Sequence, residues 1–390
     1  MSHILQLLPR DPVIARDGRP FGGPGVTRQH ALPWLLPGTL AGAVRTLLGR
    51  KAGQSFDADT IEGLKSVSIH GPFPVSEGQL FLPAPGDALA TADGRCVRLQ
   101  PAALPQGCGT DLPAGLMPVL PPQDCGLQKY RAVPAWWSLE SIVEWLCGQP
   151  GAGWLGNAER FRMAATVDER THVRIDPKSL AAEKQKLFST QGIVIDRLLD
   201  SSGKSHPAEL VCRVDSMDPD YRRILDCLDA LVPVGGERRT IRFRAAEGAD
   251  SSHLQCPAAI GTRMANVRPG NRIRMVLAAP ALFSAGWRPG WLNSDSGRVG
   301  VVPVPDGTGI LKVRLLATAN QRWEAVSGWS YETRGPKKVR RLVPAGAVYF
   351  FEVLSCESLN WSNLWLQSVC DEVQDRRDGF GLALWGLQDQ

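Results

Sequence analysis

Turn-forming residues punctuate this chain throughout, and they limit what it can fold into. It carries 40 glycines and 30 prolines in 390 residues, about 18% of the chain against a usual ~12%. That density requires many turns and long loops. Hydrophobic residues make up 43% and charged residues 21%, the balance of an ordinary globular protein with a buried core. The length predicts two or three domains and no need for disulfide staples.

Several classes are excluded next. No apolar run approaches the ~20 residues of a membrane span. The N-terminal stretch MSHILQLLPRDP lacks the basic region, apolar region and cleavage site of a secretory signal. The nine cysteines are odd in number and unpaired in spacing, with no CxxC. They predict free thiols in a reducing cytoplasm and no metal site. Cys96, Cys108 and Cys125 share one loop-like region without a nearby histidine.

Along the chain, His3–Leu8 reads as a strand and is followed by a Gly/Pro/Arg loop from Arg10 to Gly25. A helix opens at Pro37-Gly38-Thr39, with Leu40, Ala43, Val44, Leu47 and Leu48 at helical spacing and Thr39 as its predicted cap. Short strands are predicted at Ser66–His70 and Gln79–Leu82. Residues 83–133 are dense in proline and glycine and read as an irregular insertion. Trp136–Cys147 returns to helical spacing, and Thr171–Asp176 and Gly192–Asp196 read as strands.

The second half has a similar order. A strand is predicted at Ala208–Val214, a helix at Asp218–Leu231 and a Gly-rich turn at Val232–Gly236. Strands follow at Thr240–Arg244, Arg272–Leu277 and Leu311–Leu316. The apolar run Ala347–Leu354 suits a central buried strand. Trp361 to Val373 predicts a late helix, and Gly379–Trp385 closes the chain. This order predicts an α+β protein of two ferredoxin-like (RRM-like) βαββαβ domains with long loop insertions, spanning 1–200 and 201–390.

The net charge is only +5, so placement of the cations carries the argument. Ile241–Arg244, Arg272–Met275 and Lys312–Leu315 each alternate apolar and basic residues. On one shared sheet they would form a basic face; a plain solvated face is the alternative. The densest cluster runs from Arg334 through Lys337, Lys338 and Arg340 to Arg341 without an acid, and a polyanion relieves such self-repulsion. The loop from Arg16 through Arg19 to Phe21 places two guanidiniums and an aromatic ring before the helix near Thr39. Free N–H groups at that helix start suit a phosphate. Phe21, Phe188 and Phe380 are candidate stacking platforms, Phe188 being expected in the core.

No catalytic constellation stands out. The six histidines form no HExxH, and no GxSxG or Walker loop occurs. His30 is a candidate base for metal-free RNA cleavage, without an identifiable partner. The expectation is a protein that is not an enzyme and holds no cofactor or metal.

The segments DPVIARDGRPFG, LPGTLAGAVRTLLG, ERTHVRID followed by LFST, GGERR, GPKKVRRLVPAGAVYFFE and DGFGLALWG occur in order from about residue 11 to 386. Together they resemble the family of the third subunit of the Cmr effector complex, the type III-B CRISPR system, within the RAMP superfamily. The insertion at 83–133 takes no part in the likeness. The resemblance implies a non-catalytic cytoplasmic subunit for antiviral defence that holds the 5′ repeat-derived handle of CRISPR RNA. It implies docking beside the large polymerase-like subunit and the backbone RAMP subunits. The RNA contacts it implies are Arg16, Arg19, Phe21, Thr39, Gly42 and Arg45, then Arg170, His172, Gly235, Gly236 and Arg238. Lys337, Lys338, Arg340, Gly379, Phe380 and Gly381 complete the set. The alternatives are a CRISPR RNA-processing endoribonuclease using His30 and a scaffold that contacts only protein.

Overall fold

The strand Ser2–Pro9 is an interior strand of the first sheet, with apolar residues paired on both sides. It pairs antiparallel with Ser205–Asp215, where Leu5 faces Cys212, and with Thr240–Ala245, where Leu7 faces Phe243. The computed structural model describes residues 2–17, 28–104, 106–125, 129–148, 153–248, 252–305, 309–330 and 335–388. From one edge, the first sheet runs Asp229–Pro233, Thr240–Ala245, Ser2–Pro9, Ser205–Asp215, Ser68–Ser76, Gln79–Pro83, Trp136–Ser138 and Phe161–Arg162. The short strand Arg197–Leu199 pairs beside Ser205–Asp215. This sheet therefore draws strands from both sides of residue 200.

The helix Pro37–Lys51 covers this sheet with Leu40, Val44, Leu47 and Leu48, as the spacing predicts. Its cap differs: Leu36 occupies the N-cap without a side-chain bond and Pro37 starts the helix. Proline is preorganised for that place because its missing N–H would be unpaired there anyway. Thr39 therefore lies inside the first turn.

Three predicted helices are shorter than expected. Trp136–Ser138 is a strand, and Ser138 caps a helix that covers only Leu139–Cys147. The tryptophans Trp137, Trp145 and Trp154 meet edge-on or stacked with Phe161 nearby, ring centroids 4.8–6.1 Å apart, contacts worth about 0.5–1.5 kcal/mol each beyond burial. That packing decides the local conformation. Asp218 caps a helix of Pro219–Asp226, after which Asp229–Pro233 joins the sheet edge. The late helix is instead a 3₁₀ turn at Trp361–Leu364, a strand at Gln367–Ser368 and a short helix at Val373–Arg377.

The second sheet runs Leu292–Ser294, Val299–Val301, Ile310–Ala319, Val348–Glu357, Arg272–Leu277, Leu382–Leu387 and Gln367–Ser368. The apolar run of the sequence is its interior strand Val348–Glu357, flanked on both sides. The Gly-rich end of the chain supplies another strand, Leu382–Leu387.

The three alternating segments do not form one basic face. Thr240–Ala245 belongs to the first sheet and the other two to the second. Arg242 pairs with Asp229 at 2.5 Å and Arg314 with Glu352 at 2.8 Å. Arg274 is fully buried. Its guanidinium donates to Asp87 at 3.1 Å and to the carbonyl of Trp145 at 2.6 Å, while the Trp145 indole donates to Asp87 at 3.0 Å. At Arg274 the polar side of that strand faces the other half of the molecule, while Arg272 at its start stays exposed. Asp87 comes from the insertion, which also bonds to the second half through Gly86 N–H on Gly346 and Met117 N–H on Leu316. The insertion contains two small ladders, Ala88–Ala90 with Cys96–Arg98 and Gln100–Pro101 with Val119–Leu120.

Candidate nucleic-acid interface

The motif-bearing segments gather into two groups. The first is built on the chain just after the opening strand. Val13 exchanges backbone hydrogen bonds with Ile193 at 2.9 and 2.8 Å, and the Leu32 N–H reaches Ala15 at 2.7 Å. The Gly236 N–H donates to Ile14 at 2.8 Å. Gly235 has φ +75°, and a Cβ there would collide with the Ile14 carbonyl oxygen. The two glycines thus seat the GGERR turn against the loop, and Arg238 is left exposed. Arg16 is exposed and bridges Ala31 through its backbone. Arg19 and Phe21 lie outside the described residues, as does Arg334.

Against this loop stands an antiparallel hairpin, Val167–Ile175 with Ala182–Ile193, that joins neither large sheet. The Gln29 N–H donates to Ser189 at 2.9 Å, and Arg28 pairs with Glu169 at 2.6 Å. Backbone and hydroxyl bonds from Thr240 hold the Asp11 carboxyl below its ordinary range, helped by Arg239 and the hairpin's Arg170. Loop, turn and hairpin base therefore share one electrostatic neighbourhood. Arg170 pairs with Asp168 at 2.7 Å on the same strand. His172 sits opposite Phe188, with rings stacked 5.1 Å apart, and its Nε2 lies 2.9 Å from the Thr190 hydroxyl. Phe188 is thus half-buried on the hairpin and not in the core.

Sequence reasoning placed only fragments of this hairpin. It missed Lys178, Lys184 and Lys186, which are exposed, and the apolar Leu180, which is 78% exposed. The signal was present as alternation on both sides of a turn.

The second group joins the two sheets. Gly379 and Gly381 have φ +87° and +66°. A Cβ at Gly379 would strike the Ile69 carbonyl of the first sheet, and one at Gly381 would lie 2.6 Å from the Cys370 sulfur. Only glycine fits both the angle and the space. The Phe380 ring is buried and lies 3.1 Å from where Gly38 would carry a Cβ. Its tight seat removes it as a stacking platform. The start of the helix is therefore covered by Phe380, with Asp378 close by. Arg45 donates to Asp378 at 2.5 Å, to Val67 at 2.7 Å and to Arg377 at 3.2 Å. Thr39 is half-buried and Gly42 exposed on the same helix.

Arg340 extends this group. Both of its nitrogens reach Asp375, at 2.6 and 2.5 Å, and that pairing raises the guanidinium's affinity for its proton. Lys337 and Lys338 are exposed beside it. The hairpin thus meets residues 28–29, which lead along the chain to the helix, while the helix meets the glycine segment and Arg340 meets Asp375 beside it.

Among the described residues, no group of three histidine, cysteine or carboxylate side chains is placed to hold a metal ion, and no helix is long and apolar enough to cross a membrane. His30 is half-buried and lies near Glu169, whose carboxyl is held low first by a hydrogen bond from Gln191 and then by Arg28.

A search of curated proteins found no match. Among solved structures, the chain is similar to one in the cryo-EM structure of the type III-B Cmr-beta complex bound to cognate target RNA and AMPPnP. The TM-score is 0.49 at 12% identity, covering 89% of this chain and 86% of that one. It is also similar to a chain of the Csm3–Csm4 subcomplex of the type III-A CRISPR-Cas interference complex, with TM-score 0.40 at 9% identity over 91% and 94% of the two chains. The family model described as CRISPR-associated protein (Cas_Cmr3) matches residues 5–388. That match takes in both sheets, the hairpin and the glycine segment, and the chain belongs to the Cas_Cmr3 family of CRISPR-associated proteins.

Proposed function

We propose that this chain is a non-catalytic RNA-holding subunit of a type III-B interference complex for antiviral defence in the cytoplasm. It grips the 5′ repeat-derived handle of CRISPR RNA and docks the large polymerase-like subunit and backbone RAMP subunits. The observation that carries the reading is the hairpin at 167–193, which stands off both sheets with Lys178, Lys184 and Lys186 exposed and without ion pairs among the described residues. Solvated cations on an outlying element suit phosphates along a single strand. Exposed Met217 and Leu231, on segments flanking the helix Pro219–Asp226, suit a protein neighbour.

The sheet orders support two ferredoxin-like units. In each sheet four strands lie in the order last, first, third, second: Thr240–Ala245, Ser2–Pro9, Ser205–Asp215, Ser68–Ser76, and Leu382–Leu387, Arg272–Leu277, Val348–Glu357, Ile310–Ala319. On this reading the units meet near residue 250 rather than 200.

The test is RNA binding by the full chain at several salt concentrations. Replacing Lys184 and Lys186 by alanine should weaken handle RNA and flatten the salt slope by about one unit per lost phosphate contact. Unchanged binding and slope would remove the hairpin from the interface. Repeat RNA should stay intact without metal; cleavage that stops on His30→Ala would instead establish the endoribonuclease.

A further inference from the structure

A cavity of about 400 Å³ opens between the turn at Leu282–Gly286 and the strand Arg340–Leu342, with Arg341 and Glu372 on its wall. That strand pairs with Glu324–Val326, so that Ala325 faces Arg341. Trp323 comes just before the pairing strand and is 46% exposed. The Arg341 guanidinium carbon lies 4.7 Å from the centre of its ring. Arg341 makes no ion pair among the described residues, whereas its neighbour Arg340 is held by both oxygens of Asp375.

Trp323 lies outside the basic run at 334–341, so this pairing belongs to no sequence motif. Its physical content is specific. Stacking on an indole fixes the plane of a guanidinium while leaving its N–H edges available to an anion. With Arg341 over one ring face, the exposure that remains to Trp323 suits a second planar group. Exposed Lys337, Lys338 and Arg322 add positive charge on the same segments. Trp287, also partly exposed, is tied to this region through Tyr349, whose hydroxyl donates to the Trp287 carbonyl at 2.6 Å and lies 3.3 Å from the Asn320 amide.

We propose that Trp323 is a stacking platform for one unpaired nucleobase of bound single-stranded RNA, with Arg341 as its backing cation and the contact to the adjoining phosphate. The proposal rests on the RNA-holding reading above and adds to it a base-recognising residue outside the hairpin. Glu372 on the cavity wall repels a phosphate, which leaves the RNA backbone to Arg341 and the lysines.

The test uses the full chain with a short fluorescein-labelled single-stranded RNA, the same RNA carrying one abasic site at each position in turn, and a duplex of the same sequence. Trp323→Ala should weaken the intact strand by about 5- to 100-fold. Trp323→Phe, which keeps a ring, should recover most of that loss and also reports that the fold is intact. One abasic position should mimic Trp323→Ala and show no further loss in that variant. Duplex binding should not respond. Equal losses on intact RNA and on every abasic RNA would overturn the stacking role. So would wild-type affinity in Trp323→Ala, while leaving RNA binding itself standing. If the wild-type chain binds no RNA and Trp323→Ala instead disrupts association with a purified complex subunit, the face belongs to a protein partner and both readings fall.

Discussion

At the junction of the two sheets, Arg45 is enclosed by Asp378, Val67 and Arg377, and Arg340 grips Asp375 with two nitrogens. On the hairpin, Lys178, Lys184 and Lys186 stand in solvent, and exposed Arg174 meets half-buried Glu183 at 3.1 Å. Both regions are basic, but the junction arginines are held by carboxylates, Arg45 at only 11% exposure, whereas the hairpin lysines are solvated. A buried guanidinium that lost its carboxylate would leave an unpaired charge behind, whereas an exposed one exchanges protein for water at little cost. The comparison teaches that a run of cations stays open to a polyanion only where the fold leaves it without carboxylate partners.

Asp378→Ala tests this contrast most severely. It should destabilise the chain by about 3–5 kcal/mol, because it strands Arg45, whose side chain is only 11% exposed. Lys184→Ala should stay within about 0.5 kcal/mol of wild type. Urea denaturation of both variants measures the gap, and similar stabilities would erase the distinction between the regions.

A smaller loss is expected from the glycine segment. Gly379→Ala combines a positive φ with a collision against the Ile69 carbonyl, and should cost about 1–3 kcal/mol. The same denaturation curves check it. A neutral result would mean that the two sheets move apart easily, and that the junction is softer than its contacts imply.

The smallest effect concerns pH. Partial burial would raise the Asp215 carboxyl, but the His70 hydrogen bond and Arg213 outweigh it and hold the group well below the carboxylate range. His70 also reaches the Leu366 carbonyl at 3.0 Å, so this contact spans both halves. A depressed carboxylate stabilises the fold above its unfolded value near ~3.9 and loses that contribution as pH falls toward the lower folded value. Asp215→Asn should therefore be less stable than wild type at neutral pH, with a gap that narrows on acidification below about pH 4. Thermal melts across that range check it; a gap independent of pH would assign the contact to packing alone.

Much of the fold was legible because it depends on local pattern. Helical spacing located Leu40, Val44, Leu47 and Leu48 on one buried face, and the run around Phe350 marked an interior strand. The family was legible too, since six short segments in order constrain more than any one of them. Strand partnership was not. Ser205–Asp215 looks like the start of a second half, but pairs with the opening strand because both carry apolar residues in matching register.

The site divides the same way. Residue types alone determined that Gly379 and Gly381 would permit a close backbone approach and that the Lys337–Arg341 run would repel itself. Tertiary structure decided which charges remain available. It buried Arg274 beside Asp87, enclosed Arg45, seated the Phe380 ring against Gly38 and left Trp323 open with Arg341 against it. The reason is physical. Alternation and spacing record which side chains share a face, but whether that face meets water or another part of the chain depends on contacts between residues hundreds of positions apart.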